Sequence, residues 1–397
     1  MEFRNLMKTP WLAAWMLILL VHPAIAADLR FSNFTNTVVI YTDEGMPYWQ
    51  TADGRRFQVA PRIIVRTHAD NSPPLERAHP AINRIQPLFQ LGQTHLYLLE
   101  IDARPDNLQT VLNALEARPE VAWAQPDLLQ QRTPAHASHG VTGGRNTALP
   151  ALRLNWPVLQ QHNRGQGIRI AIIDDGIDLT HPALRQTKVA FAYDIGQRQL
   201  DASPQLAADT HGTRVAGVLF AATEGLDQPG LVPDAELIAI RQPDTWTSNT
   251  LLAFHLAQLA GADIINCSWH SHGLLQPVAD AVSALAQYGR DGRGTAVVFA
   301  AGNQGQRITA TSSEAAIDAA IVVGMNSPHS NFGPSVDLVL TAAPMRSTAV
   351  DGGFAPIGGT SLASSQVTAA LALLLARDPR QDLTALLSAL QQGASHD

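Results

Sequence analysis

Four short stretches of this 397-residue chain place a reactive side chain where a regular element begins or ends. In Ile170-Ala171-Ile172-Ile173-Asp174-Asp175-Gly176 an apolar run delivers an Asp, followed by a glycine suited to a sharp turn. In His211-Gly212-Thr213-Arg214-Val215-Ala216-Gly217 a His opens an apolar helix whose small residues at 212, 216 and 217 permit close packing. In Gly358-Gly359-Thr360-Ser361-Leu362-Ala363-Ser364-Ser365 a Ser opens a long apolar helix. In Val297-Val298-Phe299-Ala300-Ala301-Gly302-Asn303 a strand ends on an Asn. Singly, each has a plain structural explanation: a turn aspartate, a packed His, an N-cap Ser, a tight Gly-Asn turn. Together they offer acyl transfer. A Ser attacks a carbonyl, a His takes its proton, and an Asp orients the imidazole. A helix N-terminus and an amide side chain then stabilise the oxyanion.

Such residues need a scaffold, and the chain from about residue 151 supplies the pattern of one. Apolar strand candidates at 168–173, 237–240, 263–267, 296–301 and 320–323 alternate with helix candidates at 211–222, 250–260, 278–288 and 361–376. Continuous apolar strands alternating with helices predict an α/β fold with a doubly wound, mostly parallel sheet. In such sheets, sites form at the carboxyl ends of strands.

The first part of the chain reads differently. Arg4 and Lys8 precede the apolar run Trp11 to Val21, and Ala24-Ile25-Ala26 then has the small-x-small form of a signal-peptidase site. Residues 1–26 are therefore expected to be a removed signal peptide, since the apolar run is shorter than the ~20 residues that span a bilayer. No membrane anchor is expected, and the location is secreted or periplasmic. Residues 27–131 are expected to form a small α+β domain. Its clearer part, 60–127, has strands at 62–66 and 95–101, a helix at 105–117 with Leu108, Val111, Leu112 and Leu115 on one face, and a short strand at 121–124 ended by Gln125-Pro126-Asp127. Before it, 37–41 reads as a strand and Asp53-Gly54 as a turn. Residues 132–150 read as an exposed, cleavable linker, ahead of a second domain over 151–397.

Composition narrows the class. With 46% hydrophobic and 15% charged residues, the chain is globular rather than disordered. A net charge of -7 without clustered Lys and Arg points away from nucleic acid. The single cysteine, Cys267, permits no intrachain disulfide and reads as a packed strand residue. An esterase or lipase would share the acyl-enzyme chemistry, but a Gly-x-Ser-x-Gly elbow is missing and the order Asp, His, Ser differs from that class.

In that order, with Asp174, His211, Asn303 and Ser361 separated in turn by 37, 92 and 58 residues, the motifs resemble the subtilisin-like serine proteases over roughly 151–390. The resemblance implies a secreted serine endopeptidase acting on proteins or peptides. It implies Ser361 as nucleophile, His211 as general base, Asp174 as its orienting partner, and Asn303 with the Ser361 N–H as oxyanion hole. Ser268, Trp269 and Gly273 resemble the segment that pairs with bound peptide. Residues 60–127 resemble a propeptide that assists folding and inhibits the enzyme from within its groove, with self-cleavage in 128–145 and Arg132 a candidate for the residue before the cut. No cofactor is implied; many relatives carry structural calcium, but this chain shows no Asp-rich calcium loop, its loop Glu224 to Pro233 is short, and no residue is assigned to a metal. Asp174-Asp175-Gly176, Arg214, Cys267-Ser268-Trp269 and Gly289-Arg290-Asp291 lean toward the kexin branch. That branch has acidic residues after the Ser-Trp run and after the oxyanion Asn, whereas this chain has His270-Ser271-His272-Gly273 and an acid-free 304–313, and the branch's added β-sandwich domain is not expected here. Ser365 stands where the family has Pro, with a modest effect expected on the nucleophile helix.

Overall fold

Two sheets organise the protein. Its computed structural model describes residues 27–42, 46–68, 74–102, 105–134, 149, 151–222 and 229–396; the signal segment 1–26 and nearly all of the linker lie outside these. The first part contains strands β1 (Ala27–Asn33), β2 (Asn36–Thr42), β3 (Trp49–Gln50), β4 (Arg56–Thr67), β5 (Ile82–Leu91) and β6 (Thr94–Ile101), helix α1 (Pro105–Glu116), and strands β7 (Val121–Gln130) and β8 (Arg132–Pro134). Strands β1 to β7 form one antiparallel sheet in the order β1-β2-β3-β4-β6-β5, with β7 also on β4. The stretch before residue 60, hard to read from sequence, is thus the edge of the same sheet. The expected turn at Asp53-Gly54 joins β3 to β4, with Gly54 at φ +86°.

One strand departs from expectation. Val121–Gln130 does not stop at Pro126 but continues past it. A register shift on β4 between Val59 and Ile63 sets Ile63 opposite Pro126, so the missing N–H falls at an irregularity in the ladder.

The second part holds β9 (Ala151–Leu154), α2 (Trp156–Leu159), β10 (Arg169–Asp174), β11 (Lys188–Asp194), α3 (His211–Phe220), β12 (Glu236–Arg241), α4 (Thr247–Leu259), β13 (Ile264–Cys267), β14 (Trp269–Ser271), α5 (Gln276–Gly292), β15 (Ala296–Ala300), β16 (Ile321–Met325), β17 (Leu338–Leu340), β18 (Met345–Thr348), β19 (Phe354–Ile357), α6 (Gly359–Arg377), α7 (Leu383–Gly393) and β20 (Ala394–His396). Nine of these strands make a sheet in the order β11-β12-β10-β13-β15-β16-β17-β9-β20, parallel except for its last pair.

The period of a strand explains the layers. Along β10, Ile170 and Ile172 pack with residues of α3 and α6. Ala171 and Ile173 face the other way, among residues of α4 and α5. Both faces of β10 are covered, which is why its sequence is apolar without alternation. The same second core takes in Ile64, Phe89, Leu96, Leu98 and Trp123 from the first sheet, while Tyr97, Leu99 and Ile101 face α1. The first sheet therefore lies across α4 and α5, with α1 on its far side. Helix α6 is apolar all round and buried; it has the length to cross a membrane but serves as the core helix of this layer.

Candidate active site

The carboxyl end of β10, the start of α3 and the first turn of α6 converge. His211 Nδ1 lies 3.0 Å from both carboxylate oxygens of Asp174, and Nε2 lies 3.0 Å from Ser361 Oγ. All three side chains are buried. A neutral imidazole that donates from Nδ1 to Asp174 presents Nε2 as an acceptor for the Ser361 hydroxyl. That is the geometry of a base poised on a nucleophile.

Glycines let these elements meet. A Cβ at Gly212 would stand 2.4 Å from the Gly176 carbonyl oxygen, so only glycine permits α3 to begin this close to the β10 turn. Gly359, at φ +63°, opens α6 directly against Asn303, where a Cβ would approach Oδ1 to 2.8 Å. Ser361 is the third residue of that helix rather than its first. Asn303 Oδ1 accepts the Thr360 N–H at 3.0 Å, which leaves Nδ2 as the donor end of the amide. The sequence brings Asp174, His211, Ser361 and Asn303 from four separate elements, and the structure assembles them at one end of the parallel sheet.

Behind Ser361 lies a buried hydroxyl network. Ser364 and Ser365 each donate to the Ser361 carbonyl, at 3.0 and 2.7 Å. Ser364 also contacts Ser268 Oγ at 3.0 Å, and Ser268 accepts from Asn266 Nδ2 at 2.9 Å. Ser365, in place of the expected Pro, thus adds a donor without interrupting the helix.

The segment Ser268, Trp269 and Gly273 divides in its roles. Strand β14 pairs antiparallel with β8 in the register Trp269 with Pro134, His270 with Thr133 and Ser271 with Arg132. Gly273 offers its carbonyl to Gln130 Nε2 at 3.0 Å. The side chains of Ser268 and Trp269 point elsewhere: the Trp269 indole donates to the Ile173 carbonyl at 2.7 Å and packs edge-on against Phe299, so it is a core residue beneath the site. Cys267 is buried in β13.

Two residues at the site were given no role of their own by sequence reasoning. Asp175 accepts three backbone N–H groups at the start of α3. Burial, and then the neighbouring Asp174 charge, push its carboxyl above the ordinary range. Glu314, buried, accepts the Ser271 N–H at 2.7 Å and also the Ser271 hydroxyl. It stands one residue beyond the acid-free window 304–313, so a wider window would have found it. Beside Gln304 a cavity of about 400 Å³ opens, lined by His270, Ser271, His272, Gln304, Arg307 and Asn331 among others. Burial and then the neighbouring His270 hold the His272 imidazole below its usual pKa.

With fold and geometry in place, comparison with known proteins gives the class. The profile of the subtilase family, peptidase S8, matches residues 165–391. The chain is 32% identical over 307 residues to a thermophilic serine proteinase of Bacillus sp. (strain AK1), covering 72% of this chain and 71% of that protein. It is 25% identical over 287 residues to subtilisin E of Bacillus subtilis (strain 168), covering 68% and 69% respectively. Among solved structures, fervidolysin from Fervidobacterium pennivorans, a keratinolytic enzyme related to subtilisin, superposes with a TM-score of 0.62 at 19% identity. That match covers 84% of this chain and 57% of fervidolysin's. The chain belongs to the subtilase family and is a serine endopeptidase with the subtilisin-like α/β fold.

Proposed function

We propose that this protein is a self-processing proenzyme that cleaves peptide bonds through Asp174, His211 and Ser361. The carrying observation is the unbroken line of contacts from Asp174 through His211 to Ser361, each at 3.0 Å. Ser361 Oγ attacks the scissile carbonyl as its proton passes to His211 Nε2. The charge on the carbonyl oxygen is taken up by Asn303 Nδ2 and the Ser361 N–H. His211 then gives its proton to the leaving amine, and a water repeats the sequence on the acyl-enzyme. Asp174 holds the ring tautomer and stabilises the imidazolium. No cofactor enters these steps. Among the described residues no group of three or more His, Cys, Asp or Glu gathers to hold a metal ion. The Glu224 to Pro233 loop lies partly outside the described residues, and no step is assigned to calcium.

Residues 27–131 act as the propeptide in this reading. Support comes from β8, which pairs with β14 as an added strand would, the pairing mode of bound peptides. Its direction bears on the cut. From Arg132 to Pro134 the chain runs along β14 from Ser271 toward Ser268, whose hydroxyl contacts the nucleophile helix. Arg132 is therefore the outermost of the three, and cleavage directly after it does not fit. We place the cut beyond Pro134, in residues 135–148. The kexin leaning finds no support in the cavity beside Gln304. Both Glu314 oxygens are engaged by Ser271, and Arg307 is in the lining, so a neutral side chain before the cut fits better than a basic one. A signal peptide cut after Ala26 and a secreted or periplasmic location complete the proposal.

The test follows the intact mass of the full chain beside Ser361→Ala. Wild type is expected to shorten to a fragment beginning past Pro134 and to cleave casein, while Ser361→Ala stays long. A mature N-terminus at Thr133 would contradict the placement of the cut. Equal processing of both proteins would contradict the triad.

A further inference from the structure

We propose that Asp175 is a positioning residue for His211, a role that rests on His211 being the base. The first N–H groups of any α-helix lack intrahelical acceptors. In α3 the residue at the N-cap position, Thr210, supplies no side-chain acceptor of its own. Asp175 fills that role from the end of β10. Its Oδ2 accepts the N–H groups of Thr210 at 3.0 Å and His211 at 2.9 Å, and its Oδ1 accepts that of Gly212 at 2.7 Å. Its own N–H donates to Asp174 Oδ1 at 2.8 Å.

Two adjacent carboxylates thus hold one residue at two ends. Asp174 takes the imidazole of His211, and Asp175 takes its backbone. Because Asp174 and Asp175 are neighbours on one strand end, the ring and the main chain of His211 share a single reference point. Moving the start of α3 by even a fraction of an ångström would displace Nε2 from Ser361 while leaving the Asp174 contact free to follow. Displacements near 1 Å can cost about 10²-fold in rate. A carboxylate suits the task because it accepts on both oxygens and its charge complements the positive end of α3. An amide could keep the Gly212 bond but would turn an NH₂ group toward two N–H donors.

Asp175 also adds charge near the base. Among the described residues, the acids bonded to His211 are Asp174, the last residue of β10, and Asp175, which follows it, with Ser361 on the opposite side from α6. Arg241 of the adjacent strand β12 keeps its guanidinium on Asp194 and Asp209. Removing the Asp175 charge should therefore make the imidazolium easier to deprotonate.

The experiment compares full-chain wild type, Asp175→Ala and Asp175→Asn. It reads the rate of self-processing, kcat and KM of the processed enzyme on a chromogenic peptide, the pH profile of kcat/KM, and labelling of Ser361 by a fluorophosphonate. Circular dichroism and thermal melting report folding. The expected result for Asp175→Ala is a 10- to 100-fold fall in kcat and in labelling rate, with KM within about twofold and the acid limb moved to lower pH. Asp175→Asn should show the same pH shift with a smaller rate loss. Folded variants with wild-type kcat and an unmoved acid limb would overturn the proposal, even if their melting temperatures fell. So would a loss confined to KM. Wild type that fails to label at Ser361 would remove the triad reading beneath it, a failure visible before any variant is made.

Discussion

Helix α3 and the pair α4 and α5 begin in contrasting ways. The start of α3 is held from within the second part of the chain, by Asp175. The starts of α4 and α5 are held by the first part. Their own N-cap residues, Trp246 and Leu275, make no side-chain cap bond. Instead Asp127, at β7, accepts the Ser248 N–H at 2.9 Å and its hydroxyl at 2.7 Å. Asn33, at the end of β1, accepts the Gln276 N–H at 2.8 Å and donates to the Leu274 carbonyl at 3.0 Å. If the first part is cut away and released as proposed, helix α3 would keep its cap on Asp175, whereas α4 and α5 would lose theirs. In the proposed proenzyme, the geometry at His211 would then be separable from the surface that holds the first part.

The sharpest way to press that separation is to damage each side alone. Asn303→Ala removes the side-chain amide from the site and leaves the Asp127 and Asn33 caps in place. It should lower kcat by about 10²- to 10³-fold, the usual cost of such a donor. The half-time of self-processing should lengthen by a similar factor, while the rate at which the processed first part dissociates on dilution stays that of wild type. A change in dissociation as large as the change in kcat would break the separation.

Asp127→Ala is the converse. Its carboxylate is fully buried, capped on Ser248 and paired with Arg62 at 2.6 Å. Burial is also the leading influence on its pKa, which is pushed upward. The Arg62 pair lies wholly within the first part and is the same docked or released, so only the two bonds to Ser248 are lost at the interface. A hydrogen bond to a charged group is worth about 1.5–3 kcal/mol, which corresponds to roughly 10- to 100-fold faster dissociation. Activity measured on dilution of the processed protein should appear correspondingly sooner, with kcat unchanged.

How much of this could be read from the chain itself follows from the range of each signal. The apolar run ending at Asp174, the His-Gly-Thr start of α3 and the Gly-Thr-Ser start of α6 are local patterns, and local patterns announce strand ends and helix starts. The doubly wound sheet follows from the same alternation. The caps are another matter: Asp127 and Ser248, or Asn33 and Gln276, are 121 and 243 residues apart, and an Asp before a loop looks the same whether it caps its own turn or a distant helix. Trp269 combines two roles that a sequence cannot separate, because its backbone lies at the pairing edge while its indole belongs to the core. Pro126 argued for a strand end, and only the bulge on the partner strand let β7 pass it.

Acidity offers a gentler probe of the same interface. His255 on α4 lies against Phe89 of β5, with ring centroids 5.6 Å apart, and burial holds its pKa below the usual value. The docked state therefore favours neutral His255. Docking strength from this group is full above the free histidine value near 6.5 and is lost as pH falls through and below it. Dissociation of the processed first part should quicken as pH is lowered from 7.5 toward 5. His255→Gln should flatten that dependence. A slope that survives the substitution would assign the pH response to another group.

Asn33→Ala should have the smallest effect and answers the most specific question. The bond from Gln276 N–H to Asn33 is a neutral cap, worth about 1 kcal/mol where such caps have been removed. That corresponds to roughly a fivefold faster dissociation of the first part. Strands β1 to β3 lie ahead of the region that resembles a propeptide, so this substitution asks whether they take part in holding the enzyme. The Asn33 side chain also receives Gln125 Nε2 at 3.2 Å, which ties the cap to β7 two residues before Asp127. If the two caps act through that shared strand, the double variant Asn33→Ala with Asp127→Ala should lose less than the product of the single effects. Full multiplicativity would instead make the β1–β2 hairpin an independent clamp on α5.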